Sequence, residues 1–356
     1  MKTITRNKSW LLGGLFLALC LHNCTPPNET PATEYLFTDL RNLKMPETKL
    51  RVAAPTNVTP ATVTSSTLAT AVSNGIASIP SSGQVPPVVS QAIADANQAF
   101  AEAGTSAGAI VGAFTPEVVI ALTNTGQLPS SLQGTVAALR TNSTLRPYFP
   151  TFTLPQVNGQ PISPTTLSVP VPTPGPVTPA VVLTPVNYTG PDACFKQAND
   201  LFDQVTANVN SDRVSQVANV NNSYDQEKAA ADGDVNSCAG SVPDKYRQLI
   251  AAARSGLDVS LSNLVAARPI LGDANYTTLV ALTYIQYSNL ILLYFDLQKA
   301  ELNTCVIARD VRIASAVVAR NANISLINEA FNTIVRTAQG IVLQLLDSCH
   351  NQGSGR

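Results

Sequence analysis

Ala274-Asn275-Tyr276-Thr277-Thr278-Leu279-Val280-Ala281-Leu282-Thr283-Tyr284-Ile285-Gln286-Tyr287-Ser288-Asn289-Leu290-Ile291-Leu292-Leu293-Tyr294-Phe295 is a run of 22 residues without a charge. A bilayer core of ~30 Å takes about 20 apolar residues, so length alone would let this run cross a membrane. Its polar side chains argue otherwise. Asn275, Thr277, Thr278, Thr283, Gln286, Ser288 and Asn289 would each cost insertion energy in hydrocarbon, so the run is expected to be the central helix of a bundle covered by neighbours.

Working outward, apolar residues keep helical spacing from residue 192 to 350 while prolines nearly vanish. The expected first helix opens at Pro191-Asp192, a proline at a first-turn position with an acid at the positive end of the dipole. It buries Phe195, Phe202, Val205, Val217 and Tyr224 and stops near Val235, at Gly233 and Gly240. The second follows Pro243-Asp244, with Tyr246, Leu249, Ala253, Leu257, Leu261 and Leu264 inward, and ends at Pro269 and Gly272. Asp273 caps the third. A turn near Asn303-Thr304 would separate it from a fourth carrying Ile307, Val311, Val318, Ile327, Phe331, Ile334 and Leu345, with a phase slip at Asn321 to Asn323. The expected fold class is therefore mainly α: a C-terminal antiparallel four-helix bundle at 192–350.

Cys194 and Cys238 stand 44 positions apart, and so do Cys305 and Cys349. An unbroken helix of that length spans ~66 Å, so cysteines at its two ends cannot pair with each other. Antiparallel first and fourth helices would pair Cys194 with Cys349 and Cys238 with Cys305. Hairpins at Asn210-Ser211-Asp212 and at Asn321 to Asn323 would instead pair Cys194 with Cys238 and Cys305 with Cys349.

The N-terminus sets the compartment. Lys2, Arg6 and Lys8 precede an apolar run from Leu11 to Leu21, too short for a spanning helix and of the form of an export signal, and Leu21-His22-Asn23-Cys24 follows. This segment resembles the lipobox of bacterial lipoproteins, in which the cysteine thiol is acylated and becomes the new N-terminus. Asn before the cysteine is similar to what spirochaete lipoproteins, leptospiral ones in particular, tolerate. Cys20, behind the bulky Leu19, is the poorer candidate, and processing there would leave an odd five cysteines, whereas Cys24 leaves four. The resemblance covers under a tenth of the chain. It implies a signal peptide at 1–23, a lipid at Cys24, and residence in the cell envelope at the outer membrane, and nothing about activity.

Between signal and bundle the composition is unusual. Thr25-Pro26-Pro27-Asn28 begins a tether at 24–59. From Val52 to Pro191 only Asp95, Glu102, Glu117, Arg140 and Arg146 are charged, and helical patterns such as Leu68, Val72, Ile76, Ile79 and Val89, Ile93, Ala96, Phe100 are broken every fifteen to twenty residues by Gly and Pro. Residues 60–146 are expected to be small helices that need a partner surface. Residues 147–191 hold twelve of the 25 prolines and are expected to form a stiff extended linker, the other reading being a proline-rich loop lying on the adjacent domain.

With 13% charged residues against a typical ~25%, and a net charge of −1, the chain lacks the basic face that nucleic acid selects. Gly104-Thr105-Ser106-Ala107-Gly108 matches the G-x-S-x-G elbow, and Ser106, Asp347 and His350 occur in a hydrolase order, but no strand precedes the serine. A flexible loop between helices is the expectation. Asp232-Gly233-Asp234-Val235-Asn236 begins like a calcium loop, yet the sixth place is Ser237 and the twelfth is Pro243, where a bidentate Glu belongs. Walker, H-E-x-x-H and dinucleotide patterns are absent, so catalytic, cofactor and metal residues are expected to number none.

The expected function is a lipid-anchored, non-enzymatic envelope protein that contacts the membrane through its lipid and presents a helical bundle to a protein partner or as a structural spacer. The competing expectation is a small-ligand carrier or enzyme with a cavity between bundle helices, beside Thr283, Gln286, Ser288 and Asn289.

Overall fold

The computed structural model describes residues 32–166, 168–175, 177 and 193–351, so Cys24 and the signal region lie outside the described residues. The fold is mainly α. Its frame is two 79-residue helices, α7 (Ala193–Leu271) and α8 (Asp273–Asn351), joined by Gly272 alone. The stretch expected to form four helices thus forms two, packed antiparallel as a hairpin.

Gly272 is where the chain turns, because its φ of 74° is the left-handed conformation that glycine adopts without a Cβ penalty. Its N–H donates to Arg268 O at 2.9 Å, and its carbonyl accepts from Tyr276 N at 3.0 Å. The Arg268 guanidinium reaches Asp273 at 2.8 Å and lies 4.9 Å over the Tyr276 ring. Gly233, Gly240 and Pro243, expected as a helix boundary, lie inside α7 instead. Proline forfeits one ladder hydrogen bond, a cost of ~3 kcal/mol that the neighbouring burial outweighs: Val242 and Tyr246 are buried beside it, and the Cys238–Cys305 bridge ties this stretch to α8. The turn expected at Asn303-Thr304 is likewise helix: Thr304 Oγ1 donates to Ala300 O at 2.8 Å. Asn321 to Asn323 stay helical for a related reason, since their amides hold other chain segments. Asn323 accepts from Arg51 N at 2.7 Å and donates to Arg51 O at 2.9 Å, and Asn321 accepts from Gly175 N at 3.2 Å.

The described residues divide into two compact units, each assembled from several stretches of sequence. The first comprises described parts of 32–51, 174–223 and 319–351. Here α1 (Ala32–Asn42) and the residues after it bury Leu40 and Met45 with Phe195, Phe202, Val209, Ile327, Phe331 and Leu345. Residues 32–51, expected within a tether, are therefore packed, and Gln216 holds them by donating to Pro46 O at 3.0 Å. Cys194 and Cys349 are disulfide-bonded in this unit, with Cα atoms 5.9 Å apart.

The second unit comprises described parts of 52–173 and 224–318. Five short helices fill its low-charge stretch: α2 (Thr67–Ser82), α3 (Pro87–Glu102), α4 (Ala107–Ala113), α5 (Pro116–Thr125) and α6 (Ser130–Thr141). Local chemistry starts and stops them. Ser66, Ser106 and Thr115 accept first-turn N–H groups from Ala69, Ala109 and Val118, and left-handed Gly83 and Gly126 close α2 and α5. The faces they bury, including Ile79, Phe100, Ile110, Leu122 and Leu139, join Leu264, Leu279, Leu282, Ile285 and Ile291 of the hairpin in one core. That is the partner surface their sequence required. Phe114 stacks on Tyr284 with ring centroids 5.1 Å apart.

Short strands complete this unit: β1 (Val58–Thr59), β2 (Thr62–Thr64), β3 (Thr151–Thr153), β4 (Gln156–Val157) and β5 (Gln160–Pro161). They pair antiparallel as β1-β4-β5 and β2-β3, with Val58 opposite Val157 and Val63 opposite Phe152. Asn158 and Gly159, at φ 50° and 79°, make the tight β4–β5 turn that Asn-Gly favours. Residues 147–162, expected in an extended linker, thus lie on the core, with Tyr148, Phe149, Val157 and Ile162 buried. The described prolines here avoid central ladder positions, as a residue without an N–H must. Cys238 and Cys305 are bonded in this unit, Cα atoms 5.8 Å apart.

The most apolar window of α8 is long and hydrophobic enough to cross a membrane, but 61% of that window is buried inside the protein. Leu279, Ala281, Leu282, Ile285 and Ile291 are at most 2% exposed, which is the burial of a core helix.

Candidate ligand cleft

One stripe of α8 carries the chemistry of the second unit. Thr283, Gln286, Tyr287, Leu290 and Tyr294 recur at helical spacing and so share a face. Opposite them stand Ala253, Gly256, Leu257 and Ser260 of α7, Ala69, Thr70 and Ser73 of α2, and the 3-10 turn at Tyr148. Together they enclose a cleft of about 340 Å³, near the lower end of the range for small-molecule sites. A void of about 30 Å³ adjoins it, sharing Ala69, Ser73, Ser260, Thr283 and Gln286.

Most polar groups of the lining are already engaged. Ser66 donates to Pro147 O at 2.6 Å while capping α2, Ser260 donates to Gly256 O at 2.8 Å, and Thr283 donates to Leu279 O at 2.8 Å. The Tyr148 hydroxyl donates to Asp95 at 2.6 Å, and the Tyr287 hydroxyl pairs with Thr123 of α5. Gln286 Nε2 reaches Tyr148 O at 3.5 Å. Tyr294 differs. It is 9% exposed, packs edge-on to Tyr246 with centroids 6.3 Å apart, and its hydroxyl finds no hydrogen-bond partner among the described residues.

The lining itself carries no formal charge, tyrosines being its only ionisable groups; the charges that bear on it stand behind the wall, Asp95 on Tyr148 and the Arg254–Asp258 ion pair near Tyr287. Burial holds the Tyr287, Tyr294 and Tyr148 phenols above their ordinary range, and Tyr148 is raised further by its hydrogen bond to Asp95, whose negative charge opposes a second one beside it. All three therefore remain neutral hydroxyls across the physiological range.

Of the four α8 side chains singled out in the sequence, two line the cleft and two do not. Ser288 is fully buried and donates to Ile285 O at 2.9 Å, and Asn289 accepts from Arg140 at 2.8 Å. Both are core groups satisfied where they stand. Tyr148, Gly256 and Tyr294 were missed. The seven-residue step from Tyr287 to Tyr294 on the stripe of Thr283 was the available signal for Tyr294. Nothing local marks Tyr148, which arrives from 135 or more positions away along the chain.

The other sequence candidates resolve into structural roles. Ser106 caps α4, accepting Ala109 N–H at 3.2 Å, with Gly104 left-handed before it, so the G-x-S-x-G match is a helix-start turn. Asp232 and Asp234 lie within α7 and pair with Lys228 at 2.8 Å and Arg312 at 2.6 Å. On a continuous helix their oxygens cannot wrap one ion as a calcium loop does. Among the described residues no three His, Cys, Asp or Glu side chains are grouped to hold a metal. A depression of about 350 Å³ in the first unit is lined by Arg41, Lys196 and Asp200, of which the last two already form an exposed ion pair.

The chain matches no protein-family model, no curated protein and no solved structure.

Proposed function

We propose that this is a lipid-anchored protein of the cell envelope, held at the outer membrane through Cys24, that works by binding and not by turnover. The observation that carries the reading is the cysteine arrangement. Setting aside the two cysteines of the signal region, the four others form two bonded pairs, which suits a chain exported to an oxidising compartment. The basic, apolar N-terminus ending in Leu21-His22-Asn23-Cys24 supplies the export and anchoring half of the proposal. Binding is favoured by the chemistry of the cleft: its hydroxyls are neutral, those of Ser260 and Thr283 are spent on helix carbonyls, and the lining holds no acid–base pair to move a proton.

Metabolic labelling with a radioactive or alkyne-bearing palmitate tests the anchor. The expected result is label on the wild-type chain, its partition into the detergent phase, and loss of label in Cys24→Ala. Label that persists in Cys24→Ala, or a wild-type chain recovered unlabelled from the aqueous phase, overturns the anchored reading.

A further inference from the structure

We infer that the cleft of the second unit binds an uncharged amphipathic small molecule, one with a flat apolar body and a carbonyl- or ether-type oxygen that accepts a hydrogen bond from Tyr294. The inference rests on the reading of this protein as a binder and is independent of how it is anchored.

Three observations converge. The first is size and shape: about 340 Å³ walled by Leu257, Leu290, Pro150, Ala253 and three tyrosine rings suits a small flat body. The second is charge. The lining holds no Lys, Arg, Asp or Glu, and Arg254 behind Tyr287 is already paired with Asp258, so a charged ligand would lose its hydration without gaining a free counter-ion, whereas a neutral one loses little. The third is the Tyr294 hydroxyl. Buried phenols normally have a partner, and the other two in this lining do, Tyr148 on Asp95 and Tyr287 on Thr123. The Tyr294 ring is nine-tenths buried and burial raises its pKa, so it keeps its proton; its hydroxyl has no protein partner among the described residues and is not sealed from solvent, so it is a donor open to the cleft it lines. An acceptor arriving in the cleft would complete it.

The neighbours explain why that donor stays free. Glu301, the carboxylate that acts on the neighbouring Tyr246 ring, is already occupied by Lys245 and the Ala61 N–H. Gly256 meanwhile leaves one wall low: a Cβ built there meets nothing within 4 Å. The wall can therefore be raised by mutation without disturbing the fold.

The test uses the full chain as isolated from its cells, with both disulfides intact, in lipid nanodiscs, titrated with prodan, a neutral naphthalene ketone whose emission shifts to the blue on leaving water. The Gly256→Trp chain in the same nanodiscs supplies the reference, so that dye taken up by the bilayer cancels. The expected result is a saturable, one-to-one difference signal, weakened roughly two- to tenfold by Tyr294→Phe, the range for loss of one hydrogen bond, with circular dichroism and Tm unchanged. The anionic dye ANS should give no difference signal. Prodan binding that is indifferent to Gly256→Trp, or unaltered by Tyr294→Phe, overturns the site. A Gly256-dependent signal from ANS and none from prodan overturns the ligand class while leaving a binding cleft in place. No difference signal from either dye overturns the cleft, and palmitate labelling decides the anchor separately.

Discussion

Lys245 of α7 donates to Glu301 of α8 across 2.6 Å, and the same carboxylate oxygen accepts the Ala61 N–H at 3.0 Å, so one buried side chain ties the hairpin to the strand region. Glu301 is 7% exposed, and after burial itself its charge is what helps hold the phenol of buried Tyr246 above its ordinary range. Glu301→Leu strands the part-buried Ala61 N–H, at ~1–3 kcal/mol, and removes the partner of Lys245, so stability should fall on the order of 2 kcal/mol. Glu301→Gln keeps an acceptor oxygen and should lose about half as much. Urea melts of the two variants check this; equal losses would mean that the carboxylate is not shared in this way.

Gly126 and Gly272 have nearly the same left-handed backbone, φ 67° and 74°, but different surroundings. A Cβ at Gly272 meets nothing within 4 Å, whereas one at Gly126 would lie 2.5 Å from the Phe295 ring. Gly272→Ala should therefore cost only the conformational penalty, roughly 1–2 kcal/mol. Gly126→Ala should cost clearly more, because Phe295 must move within a packed core. The ratio of the two Tm shifts is the readout, and a Gly272→Ala variant equal to or worse than Gly126→Ala contradicts the packing described.

Alkali provides a test through the tyrosines. Tyr148, Tyr246, Tyr284, Tyr287 and Tyr294 all have pKa values raised in the folded chain, with burial the largest cause. A raised phenol contributes stability that is fully present below its unfolded pKa of ~10 and is lost as pH climbs from there toward the folded pKa. Stability should thus be flat up to about pH 9 and fall steadily above 10. Absorbance at 295 nm should show these five of the nine tyrosines ionising together with loss of the helical signal. Their ionisation while the helices remain intact would contradict their burial.

Asn323 is 5% exposed and makes both backbone bonds to Arg51, as a neighbouring strand would. Asn323→Leu fits the helix but cannot make either bond. Hydrogen exchange near residues 48–52 should accelerate by tenfold or more, while exchange in the middle of α8 stays slow; no local change would show that these bonds do not hold the segment.

Much of this architecture is written in local signals, and what is not follows from burial. The apolar periodicity of 192–350 marks it as helical, and its cysteine spacing of 44 admits cross-helix bonds. Ser66, Ser106 and Thr115 likewise mark the starts of α2, α4 and α5, and Gly83 and Gly126 the ends of α2 and α5. The helix count was not legible. Gly233, Gly240 and Pro243 are breakers by propensity, and only the packing of Val242, Tyr246 and Cys238 overrides them. The Asn158-Gly159 pair was an available hairpin signal within a proline-rich stretch whose composition argued for extended chain. The cleft was half legible: Thr283 and Gln286 stand out as polar residues on an apolar helix, but Tyr148 and Gly256 join them only through tertiary packing.

The central claim is a helical hairpin clamped by two disulfides across its helices. In the chain-entropy picture the bridges close loops of 155 and 67 residues and contribute about 5 and 4 kcal/mol. The direct measurement is non-reducing digestion and mass mapping of the protein purified from its native envelope. The account predicts peptides joining Cys194 to Cys349 and Cys238 to Cys305, with none of these four thiols open to alkylation in denaturant. Peptides joining Cys194 to Cys238 and Cys305 to Cys349, or four free thiols, would contradict it.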